Sequence, residues 1–357
     1  MVRRRKTRTV SIGNMKIGSG HPVAIQSMVK TDTSDIGAAV RQIRELEDVG
    51  CEIVRVAVKD PDDAKAISAI KQDMTVPLVA DIHFDYRLAV EAIKRGADKI
   101  RINPGNIYKP ADISRIIDAA ASGNVPIRIG VNSGSLPKSG TPSAGIADVM
   151  VDTALKYLEH FRKRDFNDLV ISLKASEVPV TVRAYRRMAG ECDFPLHIGI
   201  TAAGLPEEGI VRSSIGIGAL LMDGIGDTVR VSLTGDPVIE VCTAKRILTS
   251  TGTRHFGPQI IACPTCGRCQ VDLIPIVVEL EKELKKEMSR PMTKEEKQLV
   301  IAVMGCEVNG PGEAKDADIG IAFGKGQGAI FRRGQVIKTV EADAVIKELM
   351  KTIREEI

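Results

Sequence analysis

The first two-thirds of the chain alternates between two spacings of apolar residues. Short apolar runs rich in β-branched residues are each followed by a longer segment in which apolar residues recur at helical spacing. This alternation predicts βα units that build a parallel sheet. The apolar runs predict eight strands: Val23–Met28, Glu52–Val58, Pro77–His83, Lys99–Gly105, Pro126–Asn132, Leu169–Ala175, Pro195–Thr201 and Thr228–Thr234. The predicted helices include Asp35–Val49, Pro61–Lys71, Arg87–Arg95, Ala111–Ala121 and Pro237–Ser250.

Eight such units predict a (β/α)8 TIM barrel that occupies residues 1–253. An open doubly wound sheet is the alternative, but no Gly-x-Gly-x-x-Gly fingerprint follows the first predicted strand. The pattern then changes, and residues 254–357 predict a smaller α+β domain. Its predicted parts are a helix Val271–Met288, a charged linker Ser289–Lys297, strands Leu299–Met304 and Ile319–Phe323, a glycine-rich turn Gly324–Gly328, a hairpin through Arg333-Gly334 and a closing helix from Glu341.

Composition narrows the class of protein. The chain of 357 residues is 43% hydrophobic and 27% charged, as in a soluble globular protein, and it has no apolar run long enough to span a membrane. The basic run from Arg3 to Lys6 is interpreted as a solvated end, because it has no apolar segment of a secretory signal. A net charge of +4 with only 3% aromatic residues disfavours nucleic-acid binding.

Basic residues recur at the predicted carboxyl ends of the barrel strands, where barrel enzymes build their active sites. These residues are Arg55, Arg101, Arg128, Lys174 and Arg230. Because guanidinium groups bind phosphate oxygens in pairs, their convergence predicts a polyanionic ligand such as a diphosphate. The segment from Gly130 to Gly134 is expected to add backbone amides. Lys174 has an alternative interpretation as a Schiff-base lysine.

Four of the seven cysteines fall in two segments of the second domain. They are Cys263, Cys266 and Cys269 in a C-x-x-C-x-x-C run, and Cys306 further along the chain. Two thiols at C-x-x-C spacing with a distant third predict a metal centre, and three cysteines with one weaker ligand favour an iron–sulfur cluster. A structural zinc site is the alternative. Thiols that must stay reduced predict a cytoplasmic protein.

Several longer motifs carry a resemblance to a known family. They are Ala80-Asp81-Ile82-His83-Phe84, Arg101-Ile102-Asn103-Pro104-Gly105-Asn106, Arg128-Ile129-Gly130-Val131-Asn132-Ser133-Gly134-Ser135, Gly226-Asp227-Thr228-Val229-Arg230-Val231-Ser232-Leu233, Ala262-Cys263-Pro264-Thr265-Cys266-Gly267-Arg268 and Val308-Asn309-Gly310-Pro311-Gly312-Glu313. In these motifs and their order, the sequence resembles the 4-hydroxy-3-methylbut-2-enyl diphosphate synthases of the bacterial non-mevalonate isoprenoid pathway. The resemblance implies two-electron reductive ring opening and dehydroxylation of 2-C-methyl-D-erythritol 2,4-cyclodiphosphate. It also implies a 4Fe-4S cluster, flavodoxin or ferredoxin as electron donor, and a homodimer in which one subunit's cluster domain caps the other's barrel.

The resemblance also implies roles for individual residues. The cluster ligands would be Cys263, Cys266, Cys306 and Glu313, with Cys269 a bystander. The substrate would be bound by Arg55, Arg101, Arg128, Asn132, Lys174, Arg230 and Ser232. Glu313, Asn309, His83 and Asp81 would act in or beside the catalytic centre.

One position departs from the family pattern. The family carries a glutamate after the seventh strand, in Thr-Glu-Ala-Gly, and this chain has Ala202 in its place. Loss of a general acid or base costs about a hundred- to ten-thousand-fold in rate, so weakened turnover is expected unless Glu207 or Glu208 on the following loop compensates. The alternative function is a barrel enzyme without redox chemistry, of a pterin-binding or Schiff-base type, with a structural zinc site. A zinc-ribbon module that binds nucleic acid is a further alternative from outside the enzymes.

Overall fold

The computed structural model describes residues 3–136, 145–288, 298–307, 314, 316–324 and 326–356. The chain forms two compact units, Met1–Arg254 and His255–Ile357, and each is described by itself. None of the helices in the described ranges combines the length and the apolar character that crossing a membrane requires.

The first unit contains a parallel barrel of eight strands. They are β3 (Ala24–Met28), β4 (Ile53–Val58), β5 (Leu78–Ile82), β6 (Lys99–Ile102), β7 (Ile127–Asn132), β8 (Leu169–Lys174), β9 (His197–Ile198) and β10 (Thr228–Val229). Their order in the sheet is β8-β7-β6-β5-β4-β3-β10-β9. A parallel bridge from Ile171 in β8 to Leu196, just before β9, joins the two ends of this sheet. The predicted TIM barrel is therefore confirmed.

Eight helices follow the strands. They are α1 (Ile36–Asp48), α2 (Pro61–Gln72), α3 (Tyr86–Lys94), α4 (Pro110–Gly123), α5 (Ile146–Arg162), α6 (Val178–Glu191), α7 (Pro206–Met222) and α8 (Pro237–Ser250). Their starts follow from local chemistry. The side chain of Asp60 accepts hydrogen bonds from the Asp62 and Asp63 N–H groups of α2, and that of Asp236 accepts one from the Val238 N–H of α8. Each aspartate directly precedes a proline, which has no N–H and so needs no acceptor.

The seventh and eighth barrel strands are much shorter than the sequence predicts. The N–H of Arg230 still donates to the Ile198 carbonyl at 3.0 Å. The N–H of Thr201 instead donates at 3.2 Å to the carbonyl of Ala175, which directly follows β8 on the other side of β9. The backbone also comes unusually close here, because a Cβ added at Gly199 would lie 2.2 Å from the Arg230 carbonyl oxygen. Regular pairing between the two strands therefore ends at Ile198.

A hairpin that was not predicted from the sequence packs beneath the barrel. Strands β1 (Val10–Ile12) and β2 (Met15–Ile17) pair antiparallel. Their buried residues, such as Ile12 and Ile17, form one apolar cluster with residues at or near the starts of four barrel strands. Since those residues lie at the amino ends of the strands, the hairpin seals the end of the barrel opposite the predicted active-site mouth.

Two residues of the basic amino-terminal run, Arg4 and Arg5, bond to the barrel, so the interpretation of the run as a solvated end is wrong for them, whereas Arg3 and Lys6 are exposed. The guanidinium of Arg4 donates to Asp227 Oδ1 at 2.7 Å and to the Gly226 carbonyl at 3.1 Å. The guanidinium of Arg5 donates to the carbonyls of Ala189 at 3.2 Å and Phe194 at 2.6 Å. We call residues 3–8 the amino-terminal strap, because these bonds tie the segment to the last third of the barrel.

The second unit has a five-stranded mixed sheet in the order β11-β12-β13-β14-β15. Its elements are β11 (Gln259–Ala262), α9 (Leu273–Met288), β12 (Val300–Met304), β13 (Ile319–Gly324), β14 (Gln327–Arg332), β15 (Gln335–Glu341) and α10 (Val345–Glu356). Strands β11 to β13 run parallel, and the last two pairs run antiparallel. The predicted turn at Arg333-Gly334 joins β14 to β15, and both residues have positive φ angles, as a type I′ hairpin turn requires.

Strand β11 was not predicted, and the last helix was predicted to begin at Glu341 but begins at Val345. A 3-10 turn at Ala342–Ala344 separates β15 from α10. The predicted linker Ser289–Lys297 and part of the predicted turn Gly324–Gly328 lie outside the described residues. The described residues of this unit nevertheless have an α+β architecture, in which α9 and α10 pack with the sheet around one apolar core.

Candidate functional site

Strand register brings several of the predicted site residues to one level inside the barrel. Arg101 of β6 pairs with Asp81 of β5 on one side and with Arg128 of β7 on the other. On the next strand, Arg55 of β4 pairs with Met28 of β3. Arg55 also pairs with Val79, two residues before Asp81 on β5, and its long side chain brings the guanidinium to within 3.8 Å of Asp81. We call the charged side chains gathered here the layer.

Asp81 is the carboxylate that this layer is built around. Its Oδ1 accepts a hydrogen bond from Arg101 Nη1 at 2.9 Å, and its Oδ2 lies 3.8 Å from Arg55 Nε. Burial opposes its ionisation, yet Arg55, Arg101 and Arg128 hold the pKa of Asp81 below its usual range. Asp81 therefore stays ionised and neutralises part of the charge of the arginines.

Gly130 leaves the space that the Arg101 guanidinium occupies. A Cβ at position 130 would lie 2.6 Å from Arg101 Nε, and the Gly130 carbonyl accepts from Arg101 Nη2 at 3.1 Å. Gly130 belongs to strand β7, and a 3-10 turn follows at Ser133–Ser135. Gly130 thus leaves room for a guanidinium, and the expected contribution of backbone amides from the segment Gly130 to Gly134 stays a prediction.

Several guanidinium N–H groups in this layer are buried without a partner among the described residues. They are Nε of Arg101, Nε and Nη1 of Arg128, and Nε of Arg230. Arg128 is only 1% exposed, and burial followed by the neighbouring arginines lowers its pKa. Buried donors with no acceptor cost free energy, and an anion with several oxygens would satisfy them. The chemistry of the layer is that of a polyanion site.

Glu240, from helix α8, is a second buried carboxylate of the site, and the sequence analysis missed it. It is 1% exposed and accepts from Ser27 Oγ at 3.1 Å and from the Leu233 N–H at 3.0 Å. It also lies 3.0 Å from Lys30 Nζ and 3.7 Å from Arg230 Nη2. Helical spacing could have found it, because Glu240 shares a face with the buried apolar residues of α8. Its role is to hold Arg230 in place.

Two lysines are buried in the same region. Lys174, at the end of β8, has its amine 3.1 Å from Nε2 of His197. Lys99, the first residue of β6, is fully buried, and its amine is 3.5 Å from Gln26 Oε1. Burial lowers the pKa of both lysines well below its usual value, and nearby arginines add to this effect. The site thus holds six basic side chains and two carboxylates.

The remaining predicted barrel residues lie at or just beyond the carboxyl ends of strands. Asn132 ends β7 and is the register partner of Lys174. His83 directly follows β5, and its carbonyl accepts from Asn106 Nδ2 at 2.9 Å. Ser232 follows β10. All three are half-buried, so they line the opening more than they fill the interior.

The cysteines lie where two parallel strands end. Cys263 follows β11 and Cys306 lies two residues beyond β12, and Ala262 pairs with Val303 in the register of these strands. Both cysteines are buried, whereas Cys266 is exposed on the loop after β11. Strand register thus brings Cys263 and Cys306 to the same edge of the sheet.

Cys269 packs beside this edge. A Cβ at Gly305 would lie 2.3 Å from its sulfur, and its thiol donates to the Val271 carbonyl at 3.3 Å. Within the described ranges, no three His, Cys, Asp or Glu side chains converge closely enough to hold a single metal ion. Thiols are the ligands of iron–sulfur clusters, in which each cysteine binds its own iron, so this donor set fits a cluster. The predicted residues Asn309 and Glu313 lie outside the described residues.

Ala202 occupies an exposed position after β9, with a positive φ of 49°. The two glutamates expected to compensate for it are not on a loop, since both Glu207 and Glu208 belong to the first turn of α7. Both are exposed, and Glu208 pairs with Arg212 at 3.0 Å, one turn further along the helix.

Comparisons with known proteins agree with both units. The model of the GcpE TIM-barrel domain matches residues 7–245, and that of the GcpE protein C-terminal domain matches residues 259–355. A curated 4-hydroxy-3-methylbut-2-en-1-yl diphosphate synthase (flavodoxin) from Thermodesulfovibrio yellowstonii is 50% identical, over 99% of this chain and 100% of that protein. A protein of the same name from Caldanaerobacter subterraneus subsp. tengcongensis is 49% identical, over 99% of this chain and 98% of that protein.

Among solved structures, the barrel is similar to a crystal structure of dihydropteroate synthase from Stenotrophomonas maltophilia. The TM-score is 0.50 at 14% sequence identity, over 68% of this chain and 98% of that one. At this identity the similarity shows the barrel fold alone.

Proposed function

The chain belongs to the GcpE family, and from this we propose that it catalyses the reductive ring opening of 2-C-methyl-D-erythritol 2,4-cyclodiphosphate to 4-hydroxy-3-methylbut-2-enyl diphosphate. Two electrons and two protons enter, a ring C–O bond and the C–OH bond break, and one water leaves. The curated relatives carry the name of this synthase. The family assignment does not favour the alternative of a barrel enzyme without redox chemistry.

One observation supports the proposed binding of a diphosphate substrate in the barrel. Buried guanidinium donors of Arg101, Arg128 and Arg230 have no partner among the described residues, in a site where basic groups outnumber carboxylates. A diphosphate brings several oxygens and more than one negative charge, so it would satisfy these donors and reduce the repulsion among them. Asn132 and Ser232, at the strand ends, would orient the same ligand by hydrogen bonds. The first unit is thus proposed as the substrate domain.

The second unit is proposed as the cluster domain. Cys263, Cys266 and Cys306 would hold a 4Fe-4S cluster, with Glu313 as the fourth ligand and Cys269 as a neighbour that does not bind iron. A bound cluster supplies electrons one at a time and an iron that can accept an oxygen ligand. The relatives' names include flavodoxin, which is therefore the proposed electron donor. The resemblance further supports a homodimer in which the cluster domain of one subunit caps the barrel of the other.

Ala202 is proposed to weaken turnover without weakening substrate binding. The family's carboxylate is missing at this position, and it would serve as a proton donor or acceptor near the reacting carbon. Glu207 is a poor substitute, because it is exposed in the first turn of α7 and lies outside the layer of basic residues. Glu208 already pairs with Arg212. We expect Ala202→Glu to raise kcat by about a hundredfold or more and to leave the KM for the cyclic diphosphate nearly unchanged.

The test is anaerobic purification of the full chain, followed by iron and sulfide analysis, a visible spectrum, and turnover of the cyclic diphosphate with reduced flavodoxin. The proposal expects brown protein with about four irons per chain and formation of the linear diphosphate. Protein that binds zinc instead, or that holds a cluster but shows no turnover in either the wild type or the Ala202→Glu variant, would refute it. Glu207→Gln is the matched control, and it should leave the rate unchanged.

A further inference from the structure

A buried chain of hydrogen bonds runs behind the amine of Lys174. Lys174 Nζ lies 3.1 Å from Nε2 of His197, and Nδ1 of the same ring lies 2.7 Å from Thr228 Oγ1. His197 and Thr228 are register partners on β9 and β10, and both are fully buried. The three residues thus link three consecutive barrel strands through one imidazole ring.

The imidazole ring of His197, at the centre of these hydrogen bonds, is neutral. Burial lowers the pKa of His197 well below its usual value, and the cations of Lys174, Arg128, Lys99 and Arg55 lower it further. A neutral imidazole has one N–H donor and one acceptor nitrogen. When Lys174 is an ammonium it can only donate, so Nε2 is the acceptor and Nδ1–H donates to the Thr228 hydroxyl. The tautomer is thereby fixed by the two partners.

Other contacts fix the position of the ring and of the amine. The hydroxyl of Tyr185 donates to the His197 carbonyl at 2.5 Å and accepts from the Leu173 N–H at 3.0 Å, which ties β9 to β8. On another side of the amine, a Cβ at Gly199 would lie 2.8 Å from Lys174 Nζ. The lysine side chain therefore has a defined end position that no other residue type at 199 would leave open.

From this geometry we propose that His197 is a positioning residue, which directs the ammonium of Lys174 at the polyanion by accepting one of its three N–H bonds. The proposal rests on the proposed function, because it takes the ligand of the barrel to be a diphosphate. The other charged groups of the site are Arg55, Lys99, Arg101, Arg128 and Arg230 with Asp81 and Glu240. Among these groups Lys174 is the one held by a neutral acceptor ring. Removing that ring would leave the lysine free to turn away from its like-charged neighbours.

The test measures the affinity of the full-length protein for inorganic diphosphate by titration calorimetry, so it does not depend on turnover. His197→Leu removes the acceptor, and we expect it to weaken binding by about ten- to hundredfold, as for a hydrogen bond to a charged group. His197→Gln places an amide oxygen near the position of Nε2, and it should stay within about threefold of the wild type. His197→Asn keeps a partner for Thr228 but no acceptor for Lys174, and it should resemble the leucine variant.

A double-mutant cycle distinguishes positioning from a merely structural role. In a Lys174→Met background, His197→Leu should have no further effect on diphosphate affinity, because the group that it positions is gone. An equal loss in both backgrounds, or a glutamine variant as weak as the leucine variant, would overturn the proposal. If the leucine variant does not fold, the comparison of glutamine with asparagine decides in the same way.

A spectroscopic measurement checks the tautomer directly. In protein labelled with ¹⁵N-histidine and saturated with inorganic diphosphate, the His197 signals should show a protonated Nδ1 and an unprotonated Nε2. The opposite tautomer would contradict the proposal. If the wild type fails to bind diphosphate at all, the proposed function fails instead, so the two failures are distinguishable.

Discussion

Replacing Lys99 by methionine should make the protein more stable. Lys99 is fully buried, and its amine is 3.5 Å from Gln26 Oε1, beyond the usual length of a hydrogen bond from nitrogen. Burial lowers its pKa well below the usual value, with Arg128 and Arg55 adding to the effect. Folding therefore has to desolvate or deprotonate this amine, at a cost that a neutral side chain of similar length does not have.

The size of the gain follows from what the substitution leaves behind. Methionine fills nearly the same volume, so no large cavity forms. Replacement of a buried charge by an apolar group of similar volume typically stabilises a protein by about 1–4 kcal/mol, and we expect a change in this range at pH 7. Lys156→Met is the matched control, because Lys156 is exposed on α5 and its substitution should change the free energy of unfolding by less than about 0.5 kcal/mol.

The pH dependence gives the sharper check. Between the lowered pKa of folded Lys99 and the unfolded value of about 10.4, the unfolded chain binds more protons, so wild-type stability rises with pH in this window. The gain from Lys99→Met should therefore shrink as the pH rises, by up to about 1.4 kcal/mol per pH unit. Urea unfolding of both proteins between pH 7 and 10 measures this difference. A destabilised Lys99→Met variant, or a difference that does not change with pH, would refute the reasoning.

Three further outcomes are expected. Gly130→Ala should displace the Arg101 guanidinium and weaken binding of inorganic diphosphate by at least about tenfold in calorimetry, whereas Gly134→Ala, where an added Cβ meets nothing within 4 Å, should bind normally. Asp81→Asn should lower the free energy of unfolding by about 3–5 kcal/mol at pH 7, as measured by urea unfolding. This deficit should shrink below about pH 4, because the wild-type carboxylate stabilises the fold above its unfolded pKa and loses this contribution as the pH falls. A deficit that does not change with pH would contradict the assignment. Cys306→Ser should abolish the iron–sulfur absorption and leave the circular dichroism of the barrel intact, whereas Cys192→Ser should keep the absorption, and an unchanged spectrum of the first variant would rule out Cys306 as a ligand.

The barrel could be predicted from the sequence because strands covered on both faces are continuous apolar runs. Ile127–Asn132 and Leu169–Lys174 were found within one or two residues for this reason. The hairpin at Val10–Ile17 was missed because each of its strands has three residues, too few to show an alternation. Strand β11 was missed for a similar reason, since it has four residues and is only partly buried.

Five of the basic residues of the site could be predicted because they fall in the apolar runs that form the barrel strands. Lys174 ends β8 and Arg230 follows β10, as predicted, but Arg55, Arg101 and Arg128 lie inside β4, β6 and β7. The pairing inside the site could not be predicted, since it depends on the three-dimensional distances between side chains of different elements. Glu240 reaches Arg230 from a helix, and His197 reaches Lys174 from the next strand along the chain. No local pattern marks a buried carboxylate or imidazole as the partner of a distant cation. The family's missing glutamate at Ala202, by contrast, was visible only through the motif around it.

The contacts of the amino-terminal strap with the last third of the barrel can form only after most of the barrel has been translated. Arg4 and Asp227 are separated by 223 residues, so a segment translated before the barrel strands binds to one near the end of the barrel. Gly226 and Asp227, the partners of Arg4 in the last third of the barrel, do not exist until the chain has been translated to the start of β10, and those of the Arg5 guanidinium are not all present until residue 194. These contacts of the strap therefore form late, and contacts of such long sequence separation make folding slow. Chaperones have their longest opportunity to act on this unit before its final strand is translated.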